Sequence, residues 1–234
     1  MNDEVRTLKN QVKNIPQPIK KNIVSQIMKS PVYDNMYSLL YLQQVYDAGI
    51  KEVKTKLEIL DAEFKVKYDH NPIHHIESRL KKPESILQKA VNKDIPLTEQ
   101  GIMENIHDIA GIRVICNYVD DVYLVAQLLT NQDDIQVIEV KDYIQNPKPS
   151  GYRSLHLVVE IPIFLAEGAK PIHVEVQLRT IAMDFWASLE HKLKYKTDNN
   201  VSAEIKAELQ ECAQEIAQLD KRMQKIHNQL RDKE

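Results

Sequence analysis

With 234 residues, the chain has room for one ordinary globular domain with helical extensions and not for two full-sized enzyme domains. Hydrophobic residues at 43% and charged residues at 28% describe a soluble chain with a core, which excludes wholesale disorder. Against 34 Asp and Glu stand 31 Lys and Arg, a net charge of -3, so no global basic field holds nucleic acid and any nucleotide or RNA contact must come from a local patch.

Residues 1 to about 33 carry Pro16, Pro18 and Pro31 between short charged pieces and read as an irregular or partly helical arm. From Met36 to about Tyr68 the pattern is helical: Leu39, Leu42 and Val45 form one stripe, Val53, Leu57, Leu60 and Phe64 another. His70-Asn71-Pro72 ends it, since Pro72 cannot continue a helix and disfavours helical geometry at Asn71. An extended piece from Ile76 to Leu80 follows. Pro83 fits the first turn of a helix to about Val91, and Thr98 opens another short helix.

The period then changes to two. Residues 109–116, 136–143, 154–161 and 172–178 read as strands, with helices at 119–129 and 181–194. A final helix over 202–232 repeats Ile205, Leu209, Cys212, Ile216, Leu219, Met223, Ile226 and Leu230 at spacings of four and three, a heptad-like seam. Such a seam packs either on its own domain or on another subunit. The expected division is an arm over 1–35, a main domain over 36–200 and an oligomerising C-terminal helix over 201–234. Helices and strands mix without strict alternation, so the class is α+β, a mixed sheet flanked by helices. The two cysteines, Cys116 and Cys212, form no disulfide framework or zinc knuckle. No apolar run approaches membrane-spanning length and Met1-Asn2-Asp3-Glu4 lacks a signal-peptide pattern, so a cytoplasmic protein without a membrane partner is expected.

The chemistry lies on the polar side of the strands. From His173 to Arg179 the odd positions are polar and the even ones apolar, and successive side chains on a strand point to opposite faces. One face therefore projects His173, Glu175, Gln177 and Arg179. Taken alone, a half-exposed edge strand shows the same alternation. Arg113 faces away from Ile112 and Val114, and His156 shares a side with Ser154. Asp108 precedes one strand and Glu175 lies within another; two carboxylates on adjacent strands would be oxygen ligands for Mg²⁺.

Cations gather at two places. Arg79, Lys81, Ser85 and Lys89 surround a helix start, where free N–H groups and the helix dipole already attract anions. Lys148-Pro149-Ser150-Gly151-Tyr152-Arg153-Ser154 reads as a tight loop presenting an aromatic ring beside cations, on which a base can stack. Trp186, Glu190 and Lys194, spaced by four, share a helix face that an exposed helix with an ion pair would also give. Pro72 lies between His70 and His74, so they cannot share a helical face, and His70, His74 and His75 read as structural.

These motifs, in this order, resemble the RelA/SpoT-type alarmone synthetases. They are Arg79-Leu80-Lys81 with Ser85, Asp108-Ile109-Ala110-Gly111-Ile112-Arg113, Lys148 to His156, and Glu175-Val176-Gln177-Leu178-Arg179-Thr180. Asp184 to His191 is most similar to the small single-domain members, the RelP kind; some members carry Asn where this chain has Asp184. The resemblance covers roughly residues 36–225 and leaves no room for the hydrolase and regulatory domains of the long members.

The resemblance implies a nucleotidyltransferase-like fold and transfer of pyrophosphate from ATP to the 3′-hydroxyl of GDP or GTP. It implies that Arg79 and Arg113 sandwich the adenine, that Lys81, Lys89 and Ser85 hold the ATP phosphates, and that Asp108 and Glu175 hold Mg²⁺, with Glu175 taking the 3′-hydroxyl proton. Tyr152 would stack on guanine, and Lys148 and His156 would contact the acceptor's phosphates. Gln177, Arg179, Asp184, Glu190 and Lys194 would complete the pocket. A homotetramer is implied too. Two other readings are a pyrophosphotransferase acting on tRNA 3′ ends, which the net charge and the Tyr152 platform disfavour, and a non-catalytic RNA-binding oligomeric module.

Overall fold

A computed structural model describes residues 31–96, 98–196 and 202–231, with side chains from residue 40 to residue 193, apart from residue 97, and from 202 to 231. The described residues fall into two units that divide after residue 44. In the first, the residues described are the start of helix α1 (Pro31–Lys67); residues 31–35, placed in the arm by their sequence, are helical, and residues 1–30 of that arm lie outside the described residues.

The second unit continues α1 and adds β1 (Ile73–Leu80), α2 (Pro83–Asn92), α3 (Glu99–Asn105), β2 (Ala110–Cys116), α4 (Val119–Thr130), β3 (Gln136–Asp142), β4 (Leu155–Leu165), β5 (Gly168–Thr180), α5 (Ile181–Lys196) and α6 (Ala203–Arg231). Thr98 caps α3, its hydroxyl accepting from the Gly101 N–H at 3.1 Å, as a side-chain oxygen at that position should.

One five-stranded sheet runs in the order β1-β2-β5-β4-β3. It is mixed: β2 and β5 are parallel and every other pair is antiparallel. The α+β class expected from the sequence is what is found. The even residues of β5, Ile172 to Leu178, are buried with Ile112 and Val114 of β2. Within this unit, α1 at Gly49 lies close against this face, since a β-carbon added there would stand 2.9 Å from Ile172 Cγ2. Helix α4 packs on β2 and β5.

The edge-strand reading of the His173–Arg179 segment is overturned. β5 is central, bonded on one side to β2 and on the other to β4, so its polar residues face an open sheet surface rather than a solvated margin. Strand β1 also begins earlier than expected, at Ile73.

Helix α6 divides its apolar residues. Ala213 and Asp220 are buried and Leu209 and Ile216 pack against the Trp186–Ala187–Ala213 cluster. Ile205, Leu219, Met223, Ile226 and Leu230 are each about half exposed, from 45% to 61%. Among the described residues, no helix is long and apolar enough to cross a membrane.

Candidate active site

Strand register assembles the site. Glu77 pairs with Arg113, Arg113 with Gln177, Gln177 with His156 and His156 with Lys141. Directly paired residues share a face, so one rung of five polar side chains crosses the whole sheet. One step along, Arg79 pairs with Gly111 and Gly111 with Glu175; glycine leaves space between the arginine and the carboxylate.

A cleft of about 250 Å³ opens over this surface, lined by Arg79, Lys81, Asp108, Arg113, Glu175 and Gln177 among others. Both candidate carboxylates thus face one space. Asp108 is bracketed by cations: Lys89 Nζ lies 2.8 Å from Oδ1 and Lys81 Nζ 2.8 Å from Oδ2. Burial pushes its carboxyl up, but the two lysines outweigh burial and hold it below the usual carboxylate range. Glu175 behaves likewise. Burial raises it, while His156, whose Nδ1 is 3.3 Å away, and the Gln177 amide at 2.8 Å bring it below its ordinary value despite the nearby Asp108 charge. Both groups are therefore ionised at neutral pH.

Lys81 also lines an open depression with Ser85 and Lys89 beside the start of α2. Pro83 sits at the beginning of that helix, where its missing N–H is no loss; the Ser85 and Ile86 N–H groups return to the Lys82 carbonyl at 2.9 and 3.1 Å, so the attraction for an anion here comes from the lysines and the helix dipole.

Tyr152 anchors a second cluster. The loop before it turns through Gly151 at φ +90°, a backbone conformation that favours glycine. The Tyr152 hydroxyl meets His156 Nε2 at 2.8 Å and accepts from Arg179 Nη2 at 3.1 Å. Lys148 Nζ stands 4.9 Å from the ring centroid, over its face. This ring is braced from below: it packs against Trp186, Ala187 and Ala213, and a β-carbon on Gly151 would come within 2.5 Å of Ala213 Cβ.

The structure departs from the sequence-based site in several places. Arg179 is only 3% exposed; it donates to Asp184, Tyr152 and Gln177, so it lies beneath the site and supports it. Arg153 does not join the cations around Tyr152: its Nη1 donates to the backbone oxygens of Gly151 and Ala213, tying the loop to α6. Trp186 is buried and its Nε1 donates to Leu209 O at 3.0 Å, so its helix face is not the exposed one that the spacing also allowed. Glu190 is buried and does not line the cleft. The Lys194 side chain lies outside the described residues. His70 is structural, with Nε2 2.9 Å from Asp121. Sequence reasoning missed Glu77 and Lys141 on the rung; alternation within the expected Ile76–Leu80 piece already puts Glu77 on the face of Arg79.

Among the described residues, no group of three or more His, Cys, Asp or Glu is arranged to hold a metal. Two ionised carboxylates with open space before them nevertheless suit a hard cation that takes its other oxygens from water and phosphate.

Comparisons with known proteins place the chain in a family. The region found in RelA/SpoT proteins matches residues 78–200, which span every cleft-lining residue named above. The GTP pyrophosphokinase YwaC of Bacillus subtilis is 44% identical over 186 residues, covering 80% of this chain and 89% of its own length. The GTP pyrophosphokinase YjbM of the same organism is 40% identical over 187 residues, covering 80% and 87%. The crystal structure of the small alarmone synthetase 1 from Bacillus subtilis, bound to its product pppGpp, superposes with a TM-score of 0.73 at 40% identity, over 79% of this chain and 93% of that one. By its matched region, its sequence relatives and its fold, the chain belongs to the RelA/SpoT family.

Proposed function

We propose that the chain is a small alarmone synthetase. It moves pyrophosphate from ATP to the 3′-hydroxyl of GDP or GTP, giving AMP and ppGpp or pppGpp, the products of a stringent or stress response. One observation carries this reading: Asp108 and Glu175, both held ionised, face a single cleft that also presents Arg79, Lys81 and Arg113.

In this reading the adenine lies between the Arg79 and Arg113 guanidiniums, where stacking adds to cation–π attraction. The ATP phosphates rest on Lys81, Lys89 and Ser85 at the start of α2. Guanine stacks on Tyr152, and Lys148 and His156 meet the acceptor's phosphates. Asp108 and Glu175 are the residues that would hold Mg²⁺, which when bound neutralises charge on the phosphate oxygens.

The 3′-oxygen attacks the β-phosphorus of ATP, the bridging bond to the α-phosphate breaks, and AMP leaves with that oxygen. The hydroxyl proton passes to Glu175. Its lowered basicity is no obstacle, because such transfers ask mainly for positioning and charge neutralisation. His156 and Gln177 fix the orientation of that carboxylate.

The half-exposed row Leu219, Met223, Ile226 and Leu230 on α6 supports a homo-oligomer, a tetramer on the pattern of the small synthetases. A cytoplasmic setting fits the substrates. The reading is tested by anion-exchange analysis of products after incubation with Mg²⁺, ATP and GMP, GDP or GTP in turn: AMP should appear together with a guanosine species carrying two more phosphates than the acceptor.

A further inference from the structure

Asp184 stands between Arg113, which the proposed reaction places against the donor base, and Arg179, which supports the acceptor platform Tyr152 from beneath. Its Oδ1 lies 3.3 Å from Arg179 Nη1 and 3.7 Å from Arg113 Nη1. Arg179 reaches onward through Nη2 to the Tyr152 hydroxyl at 3.1 Å and Gln177 Oε1 at 2.7 Å. The same Arg113 Nη1 is also 3.2 Å from Glu77 Oε2. A continuous chain of polar contacts therefore runs from the donor cleft, through one carboxylate oxygen, to the acceptor platform.

The distances indicate shared, unsaturated contacts. An unshared guanidinium–carboxylate hydrogen bond is about 2.7–2.9 Å long, and all three contacts of Arg113 and Asp184 named here are longer. Arg113 is divided between Glu77 and Asp184, and Asp184 between Arg113 and Arg179. Two arrangements are open to Asp184: shared by both arginines, as here, or closed onto Arg179 alone. The like charge of Arg113 also bears on the buried Arg179, so Asp184 keeps the two cations compatible.

We propose that Asp184 couples the two nucleotide subsites. The inference rests on the reading above, in which Arg113 meets the donor base and Tyr152 the acceptor base. A base stacking on Arg113 turns that guanidinium to its own plane and away from Asp184. Asp184 then closes on Arg179, which steadies the Tyr152 hydroxyl and the Gln177 amide. Donor binding therefore tightens acceptor binding, and by linkage the acceptor tightens the donor by the same factor. Asp184 acts here as a positioning residue between subsites.

The test is a pair of calorimetric titrations on the full chain with Mg²⁺. The probes are GDP and α,β-methylene-ATP, in which a methylene replaces the oxygen bridging the α- and β-phosphorus, so that this link is not cleaved. Each is titrated alone and with the other saturating. In the native chain each should tighten the other about fivefold or more, equally in both directions. In Asp184→Asn, which keeps the shape and removes the charge, the ratio should fall to near one. Asp184→Ser removes the same charge and serves if the Asn variant does not fold. Glu77→Gln, which removes the rival for Arg113 and leaves the Asp184 bridge, should keep the coupling.

A ratio unchanged in Asp184→Asn, with both affinities merely lowered, would mean a structural role only and would overturn the proposal. So would a native ratio of one. If the native chain bound neither nucleotide, the pyrophosphotransferase reading itself would fall, which is a distinguishable result.

Discussion

Lys89 Nζ lies 2.8 Å from Asp108 Oδ1, and Lys81 covers the other carboxylate oxygen at the same distance. In the proposed complex these lysines must leave Asp108 for phosphate oxygens as Asp108 takes Mg²⁺. Lys89→Met should therefore have opposite effects on the two ligands. The KM for ATP should rise about tenfold, the scale of one charge-assisted hydrogen bond, while Mg²⁺ alone binds more tightly to a carboxylate freed of a competitor. Steady-state kinetics and a Mg²⁺ titration check the two signs. The lowered Asp108 value also fixes a pH dependence: stability from this pairing is present at neutral pH and is lost as pH falls through the folded value.

Tyr152 offers a ring to the acceptor and a hydroxyl to Arg179 and His156. Tyr152→Ala should raise the KM for GDP by roughly 5- to 150-fold, the range of about 1–3 kcal/mol for base–aromatic stacking, with a much smaller change in the KM for ATP. Tyr152→Phe keeps the ring and should cost far less. Equal losses for both substrates in the Ala variant would contradict the platform role.

Asp220 is buried on α6 and accepts from the Thr180 hydroxyl at 2.6 Å. Burial pushes its carboxyl above the ordinary range, more than the Thr180 hydrogen bond lowers it. A carboxyl raised in the fold favours the native state when protonated, so the ionised form costs stability at neutral pH. Asp220→Asn can still accept from Thr180. It should raise the melting temperature at pH 7, by roughly 2–4 °C per kcal/mol for a chain of this size, and the gain should shrink as pH falls towards the carboxylate range. Thermal melts at several pH values test this.

Met223 is 45% exposed in the apolar row of α6, an unusual place for a contiguous apolar strip unless something covers it. The native chain should run as a multiple of its 27.1 kDa monomer in light scattering, and Met223→Lys should shift it towards the monomer. A monomeric native chain would remove the proposed oligomer.

Much of the site was legible in the sequence because period-two alternation sorts a strand into two faces. That alone put Glu175 and Gln177 on the polar side. Strand order was not legible: nothing local to His173–Arg179 distinguishes a central strand from an edge, since both expose one polar face. Only the pairing of β5 with β2 brings Gly111 beside Glu175 and makes one cleft of two distant motifs. The fate of Arg179 was hidden for a related reason. Alternation gave its side of the sheet, but the cover supplied by Asp184 and Tyr152 depends on where α5 and the Gly151 loop arrive. The α6 seam left two partners open because a heptad pattern does not say which apolar residues meet their own domain; Leu209 and Ile216 of the seam do so, and Ala213 and Asp220, outside the seam, are buried.

The fate of the β-phosphorus of ATP distinguishes pyrophosphate transfer from every other outcome most directly. Incubated with Mg²⁺, GDP and ATP labelled at that position, the native chain should place the label in a guanosine tetraphosphate and release unlabelled AMP in equal amount. Glu175→Gln should slow this by a factor on the order of 10²–10⁴ while still binding both nucleotides. Label remaining in ADP, or a Glu175→Gln chain as fast as the native one, would contradict it.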